Sequence, residues 1–144
     1  MKLLLLGLLL QISLPLKKLA LTSGYGYRLH PITKINTFHA GVDLKAHSDT
    51  VYAITNGRVT KTNYNTLSGI YIKIDHGAFQ SLYGHLSQIF VNSNATVAAG
   101  QPIGITGATG TVTGEHLHFA ITINGAAVNP IKFLVQLFQY NYHE

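Results

Sequence analysis

The chain contains no cysteine among its 144 residues. This absence excludes disulfide bonds, zinc sites built from thiolates and enzymes with a cysteine nucleophile. It does not identify the compartment, because many exported proteins also lack cysteine. Charged residues are scarce as well, at 10% of the sequence against roughly 25% in an average globular protein.

Acidic residues are the scarcer charge class: 5 Asp and Glu stand against 10 Lys and Arg, a formal net charge of +5. Such an excess favours an anionic partner or surface. The basic residues nevertheless form no dense run, and the sequence contains neither a helix-turn-helix nor an RNP-type aromatic motif. We therefore expect no nucleic-acid partner.

The N-terminus carries an apolar run that is too short for a usual transmembrane helix of about 20 residues. It follows Met1-Lys2, covers residues 3–14 and precedes Pro15-Leu16-Lys17-Lys18. This pattern is typical of a signal peptide, so we predict that 1–21 is an export signal or membrane-anchoring leader. The protein is then expected in the periplasm or cell envelope. No small-x-small cleavage site follows, which leaves open an uncleaved leader, a buried N-terminal helix or a mistaken start codon.

From Thr22 onward, short alternating segments are typical of β-structure. The predicted strands are 51–54, 58–62, 69–75, 79–85, 103–105 and 117–123, with a hairpin turn at Asn56-Gly57, a turn at 75–77 and another at Asn124-Gly125. A helix is predicted over 131–138, started by Asn129-Pro130.

These elements define the predicted fold class as mainly β. We expect a single compact antiparallel β-sheet or β-sandwich domain over 22–134, with a short C-terminal helix and a tail over 135–144. A chain of 144 residues with 47% hydrophobic content supports one core and no more, and we expect a monomer.

Two histidines stand two residues apart in the last predicted strand. Because side chains alternate between the faces of a strand, His116 and His118 share one face, and Leu117 and Phe119 point to the other. The apolar face is expected in the core. The imidazole face can then bring a metal ligand and an acid/base group to the same place.

His39 and Asp43 flank a short segment containing Gly41, a spacing that suits two metal ligands delivered by a turn. Imidazole nitrogen and carboxylate oxygen are both normal zinc ligands. One histidine of the 116/118 pair would complete a site with an open position for water, the form of a catalytic zinc centre. The residues alone do not decide which one. The other histidine and His85 remain free to move protons.

Seven segments together carry a family resemblance: 23–33 (SGYGYRLHPIT), 38–44 (FHAGVDL), 74–77 (IDHG), 82–87 (LYGHLS), 100–104 (GQPIG), 107–110 (GATG) and 114–120 (GEHLHFA). In this order and spacing, the chain resembles the lysostaphin/LytM-type zinc endopeptidases, which cut peptide cross-links in bacterial peptidoglycan. The resemblance runs from about residue 23 to residue 134.

The resemblance implies one zinc ion per chain and a set of site residues: His39, Asp43 and His118 as metal ligands, His116 as general base, and His85 as stabiliser or proton donor. His30 falls where some relatives carry a tyrosine thought to support the tetrahedral intermediate, which implies an auxiliary role.

The implied function is hydrolysis of peptidoglycan cross-links by a metal-activated water, with peptide stems and cross-bridges as partners. Residues 28–33 look like those of relatives from Gram-negative envelopes, which predicts cleavage of D-alanyl–diaminopimelate links. Cleavage of glycine bridges is the second hypothesis.

The sequence departs from the family pattern at Glu115, where proline is common, at Ala120, where glutamate is common, and in the loop 45–50, which lacks a proline. No departure removes a ligand. We interpret Glu115 as a solvated loop carboxylate.

Other polar residues receive structural interpretations. His76 is predicted to be a turn residue, and His47 and His143 to be solvated. The glycine-rich stretch 100–114 is predicted to form turns and a groove wall. Candidates for lining that groove are Tyr25, Tyr27, Tyr64 and Tyr71, with packing as the alternative for half of them.

Two alternatives remain from other functional classes. The chain could be a catalytically silent relative that binds the wall or activates another hydrolase, although such proteins usually lose ligands and this one keeps them. A biotinyl- or lipoyl-type module is disfavoured, because residues 97–104 have no acceptor lysine nearby.

Overall fold

The computed structural model describes residues 11–142. This part of the chain contains twelve strands and one helix: β1 (Leu21–Ser23), β2 (Gly26–Leu29), β3 (Asn36–His39), β4 (Val42–Lys45), β5 (Thr50–Tyr52), β6 (Gly57–Asn65), β7 (Gly69–Asp75), β8 (Gln80–Ile89), β9 (Thr96–Val97), β10 (Pro102–Thr106), β11 (His116–Ile123), β12 (Ala126–Val128) and α1 (Pro130–Tyr142).

Ten of these strands form one sheet in which every pairing is antiparallel. The strand order along its main path is β1-β4-β11-β8-β7-β6-β9. In addition, β10 pairs with β8 and with β5, and β12 pairs with β11. β2 and β3 form a separate two-stranded sheet. The predicted fold class, mainly antiparallel β with a C-terminal helix, is confirmed.

β11 lies near the centre of the sheet, between β4 and β8. Leu117, Phe119 and Ile121 are completely buried in the core, as the alternation predicted. Burying an apolar side chain of this size contributes roughly 1.5–3 kcal/mol. The apolar face therefore fixes the register of β11, and with it the positions of the two histidines on the other face.

The predicted hairpin at Asn56-Gly57 is wrong, because β5 pairs with β10 whereas β6 pairs with β7 and β9. The carboxamide oxygen of Asn56 instead accepts a hydrogen bond from the amide of Ala99, at 2.9 Å. A Cβ atom at Gly57 would lie 2.5 Å from the carbonyl oxygen of Asp75. The dipeptide therefore lies where the chain passes close to the segments of Ala99 and Asp75, and the glycine permits the close approach to Asp75.

The C-terminal helix starts as predicted and ends later. The carboxamide of Asn129 accepts from the amides of Ile131 and Lys132, at 3.1 and 3.3 Å, and caps the N-terminus. The prediction that the helix ends at residue 138 is wrong, since α1 continues to Tyr142 and includes the residues 135–142 that were predicted as tail. No glycine or proline follows residue 138 to end it.

Residues 11–20 lie against the domain. The amide of Ser13 donates to the carbonyl of Ile54 at 2.7 Å, and that of Tyr52 donates to the carbonyl of Pro15 at 2.9 Å. The side chain of Leu16 is 2% exposed and belongs to the core. This part of the predicted leader therefore packs on the domain. The apolar run up to residue 10 lies outside the described residues, and the leader stays a prediction.

No helix within residues 11–142 is long and apolar enough to cross a membrane.

His76 occupies a turn, as predicted, and also connects buried polar groups. Its Nδ1 donates to the carbonyl of Asn56 at 2.9 Å, and its Nε2 lies 2.7 Å from the hydroxyl of Ser81. Ser81 in turn lies 3.0 Å from the hydroxyl of Tyr83, whose pKa burial raises to about 12. Burial lowers the pKa of His76, since desolvation penalises the imidazolium.

The lowered pKa of His76 makes part of the folding stability depend on pH. The unfolded chain binds more protons than the folded one once the pH falls below about 6.5, so stability is complete above that pH and decreases below it. When the pH of metal-free protein is lowered from about 7.5 to about 5, the free energy of unfolding is expected to fall less for His76→Gln than for wild type. Urea unfolding at both pH values measures this, and equal losses would contradict it.

Candidate active site

Three of the predicted site residues meet at the edge between the two sheets. His39 ends β3, Asp43 lies in β4, and His118 stands opposite Asp43 in the pairing of β11 with β4. Asp43 Oδ1 is 3.0 Å from His118 Nδ1 and 3.3 Å from His39 Nε2, and the two imidazole nitrogens are 3.2 Å apart. The candidate ligand atoms of the three residues all lie within 4.8 Å of one another.

Gly41 allows this convergence. A Cβ atom at this position would lie 2.6 Å from the carbonyl oxygen of Phe119 and 2.8 Å from Cε1 of His118. The turn between β3 and β4 can thus pass close to β11 only because the residue has no side chain. This is the physical reason for a glycine between His39 and Asp43.

The outer nitrogen of His39 is held by the backbone. Nδ1 lies 2.8 Å from the carbonyl oxygen of Gly24, so it carries the proton and donates it. The Nε2 lone pair of His39 is consequently directed at Asp43 and His118. A carbonyl that fixes the tautomer from behind is the usual arrangement around a histidine that ligates a metal.

The carboxylate of Asp43 is 7% exposed yet remains ionised. Burial alone would raise the pKa of Asp43, but the hydrogen bond from His118 and the nearby imidazole of His39 outweigh it and hold the pKa well below its usual range. The Nη2 atom of Arg28 lies 3.8 Å from the other oxygen, Oδ2. One oxygen of Asp43 thus faces the imidazoles and the other faces the guanidinium.

His116 lies beside this cluster. Its Nε2 is 3.5 Å from Asp43 Oδ1, while its Nδ1 donates to the carbonyl of Gly114 at 2.9 Å. The ring centroid of His85 is 4.8 Å from that of His116. The structure therefore brings five of the predicted residues together: His39, Asp43, His85, His116 and His118.

His85 reaches this face through an irregularity in β8. In its pairing with β7, Tyr83 stands opposite Ile72 and Leu86 opposite Ile70, so Gly84 and His85 share one partner position. His85 has a φ of 61°, a left-handed conformation that non-glycine residues rarely adopt. The bulge turns the imidazole of His85 toward the side of the sheet that carries His118.

The imidazole of His85 is also fixed by the backbone. Its Nδ1 donates to the carbonyl of Thr109 at 2.7 Å. Burial lowers the pKa of His85 to about 4, with the neighbouring His116 and His118 adding to the effect. His85 is therefore neutral at pH 7, and its free Nε2 can accept a proton or a hydrogen bond.

His30 lies near the site without joining the cluster. Its Nδ1 accepts from the amides of Ile32 and Thr33, both at 3.2 Å, and so stabilises the turn between β2 and β3. Its auxiliary role stays a prediction.

The cluster opens into a groove with a volume of about 400 Å³. The residues that line it are Arg28, His30, Pro31, Ile32, Thr37, Phe38, His39, Ala40, Asp43, Leu67, Ser68, His85, Thr111, Val112, Thr113, His116 and His118. Residues 111–113 belong to the glycine-rich stretch predicted as a wall. No tyrosine is found among the described lining residues, so that part of the prediction is wrong.

Glu115 is not a solvated carboxylate, and that prediction is wrong. Its Oε1 accepts from the amide of Ser48 at 2.6 Å, and its Oε2 is 3.0 Å from Nδ1 of His47. Glu115 thus ties the start of β11 to the loop after β4. His47 itself is exposed as predicted, with 94% of its side chain accessible. His143 lies outside the described residues.

Residues 37–130 match the family model described as Peptidase family M23. The sequence is 41% identical over 107 residues to the peptidoglycan DD-endopeptidase ShyA of Vibrio cholerae, covering 73% of this chain and 25% of that protein. Among solved structures, a zinc-containing peptidase from Vibrio cholerae aligns with a TM-score of 0.77 and 32% identity, over 83% of this chain and 39% of that one.

The catalytic domain of the antimicrobial peptidase lysostaphin from Staphylococcus simulans aligns with a TM-score of 0.74 and 31% identity, over 81% of this chain and 92% of that one. The chain belongs to Peptidase family M23, as the sequence resemblance predicted. It spans about a quarter of the length of the curated relatives it matches.

Metal binding is expected to depend on His118 and not on an exposed histidine. When metal-free protein is titrated with zinc, wild type should bind one ion, and His118→Ala should bind at least about 100-fold more weakly, since one of three ligands is lost. His47→Ala removes an imidazole that is 94% exposed and is the matched control. Equal affinities for the two variants would refute the ligand set.

Proposed function

We propose that this chain is a zinc-dependent endopeptidase that hydrolyses peptide cross-links of bacterial peptidoglycan. The observation that carries the proposal is the meeting of His39, Asp43 and His118 at the floor of an open groove, with His116 and His85 beside them. Membership in Peptidase family M23 supports it.

The residues present fit a zinc ion. His39, Asp43 and His118 offer two imidazole nitrogens and one carboxylate oxygen, a ligand set that leaves a fourth position open, as catalytic zinc sites do. The ionised state of Asp43 and the fixed tautomer of His39 are the states that ligate. Zinc in such a site supplies a nucleophile at neutral pH, because it lowers the pKa of a coordinated water to about 7.

His116 is proposed as the general base. Its Nδ1 proton is committed to the carbonyl of Gly114, so the lone pair on Nε2 faces the site and can take a proton. The same nitrogen can later return that proton to the leaving amine. His85 is neutral because of its low pKa, which suits a group that stabilises the reacting atoms by hydrogen bonding through Nε2.

We further propose that the bond cut is the D-alanyl–diaminopimelate link. A relative with 41% identity is named a peptidoglycan DD-endopeptidase, and this link joins two D-centres. The open groove admits an extended peptide stem. This substrate lies outside the cytoplasm, so the function is coherent with export of the chain, with the N-terminal apolar run as leader or anchor.

The experiment is digestion of purified diaminopimelate-type and glycine-bridged peptidoglycan, with mass analysis of the released fragments. Zinc-loaded wild type should release diaminopimelate-type fragments. His116→Ala should retain zinc and cleave about 10²- to 10⁴-fold more slowly, the usual cost of losing an acid/base group.

His47→Ala is the control and should cleave as wild type does, since its imidazole is exposed and Glu115 keeps its hydrogen bond from the amide of Ser48. A zinc-loaded wild type that leaves both walls intact would overturn the enzymatic proposal and favour a silent wall-binding module. Release from the glycine-bridged wall alone would overturn the bond assignment.

A further inference from the structure

Among the described residues that line the groove, Arg28 is the only lysine or arginine, and Asp43 is the only acidic residue. Arg28 lies in β2, opposite Thr37 of β3, on the hairpin that forms one wall. Its side chain is 32% exposed, so the guanidinium borders both the metal-ligand cluster and the groove.

The hydrogen-bonding capacity of Arg28 is not used. The distance of 3.8 Å from its Nη2 to Asp43 Oδ2 exceeds the about 3.2 Å limit of a good hydrogen bond. Its Nε is buried without a partner. A guanidinium offers five donors in a fork that matches a carboxylate, and burying an unpaired donor is costly. The structure thus keeps a cation with free donors beside the candidate reaction centre.

Asp43 is a poor permanent partner for this cation. Its Oδ1 is shared among the imidazoles of His39, His116 and His118, and its charge is directed to that cluster. Only Oδ2 faces Arg28, at a distance that leaves room for a second acceptor. A second carboxylate, brought by a ligand in the groove, would complete the hydrogen bonds that Asp43 does not make.

The proposed substrate carries such a group. Diaminopimelate has two amino and two carboxyl groups. In the cross-link, the carbon that bears the scissile nitrogen also bears a free carboxylate, whose carbon is two bonds from the nitrogen that becomes the leaving amine. Inside a glycine bridge the corresponding carboxyl group is tied up in the next peptide bond. The two substrates therefore differ in charge directly beside the reacting bond.

We propose that Arg28 is a specificity-determining residue that binds the free carboxylate next to the scissile bond. The inference rests on the proposed function and deepens it, because it selects the substrate class by charge. The Nη2 atom of Arg28 lies 3.8 Å from Oδ2 of the candidate metal ligand Asp43, so a substrate whose scissile bond lay at this cluster would bring the adjoining carboxylate within reach of the guanidinium.

The test compares two synthetic cross-linked peptides that differ only at this group, a carboxylate in one and a carboxamide in the other. Wild type should prefer the carboxylate by about 10- to 100-fold in kcat/KM, the range of a charge-assisted hydrogen-bonded pair, with most of the effect in KM. Arg28→Gln should lose this preference while keeping its zinc content. Arg28→Lys, which keeps the charge without the fork, should retain part of it.

Arg58→Gln is the matched control, because it removes the same charge from an exposed position of β6 and should leave the preference unchanged. The ratio of the kcat/KM values for the two peptides does not depend on the fraction of folded enzyme. A variant that folds poorly therefore still gives an interpretable ratio.

Two results would overturn the inference. One is a wild type that cleaves both peptides equally well. The other is an Arg28→Gln variant in which kcat/KM falls by the same factor for both peptides and zinc is lost. Arg28 would then act only by holding Asp43 in place. Cleavage of neither peptide by zinc-loaded wild type would instead overturn the proposed function, and the inference with it.

Discussion

The pairing of β11 with β4 is the constraint on which the site depends. It places His118 opposite Asp43, and the burial of Leu117 and Phe119 holds that register. A slip by one residue would turn every side chain of β11 to the other face, exposing apolar groups and burying imidazoles. The same hydrophobic energy that builds the core thus sets the distances between the candidate metal ligands. Gly41 completes the arrangement, because only a residue without a side chain lets the connecting turn pass beside His118.

The electrostatics of the site follow from gathering four imidazoles around one buried carboxylate. The hydrogen bond from His118 and the nearby imidazoles of His39 and His116 keep Asp43 ionised in spite of burial. Three backbone carbonyls, those of Gly24, Thr109 and Gly114, hold the outer nitrogens of His39, His85 and His116. Each of these rings therefore presents a lone pair inward. The candidate metal ligands, the proposed base and the proposed substrate anchor Arg28 all lie within one small region, and such preorganisation would reduce the reorganisation needed during the proposed reaction.

Alternation along β11 was enough to predict which histidines share a face, and the family resemblance predicted which residues belong to the site. Other features depend on long-range contacts that a pattern cannot report. The inward turn of His85 needs a bulge and a positive φ, supported by Ser68 and Thr109. Asn56-Gly57 satisfies the local rule for a hairpin, yet contacts with Ala99 and Asp75 decide its structure. The solvated interpretation of Glu115 is wrong because two of its partners, Ser48 and His47, stand 67 and 68 residues away in the sequence. The proposed role of Arg28 also depends on a long-range contact, the 3.8 Å approach of its Nη2 to Oδ2 of Asp43.

The most direct measurement is a crystal structure of the zinc-loaded protein, with anomalous diffraction at the zinc edge to locate the metal. We expect one zinc ion held by His39, Asp43 and His118, at about 2.0–2.2 Å from each ligand atom, with a position not occupied by protein. His116 and His85 should lie near the ion without ligating it. A zinc ion closed off by four protein ligands, or bound at another place in the chain, would contradict a hydrolytic site at this cluster.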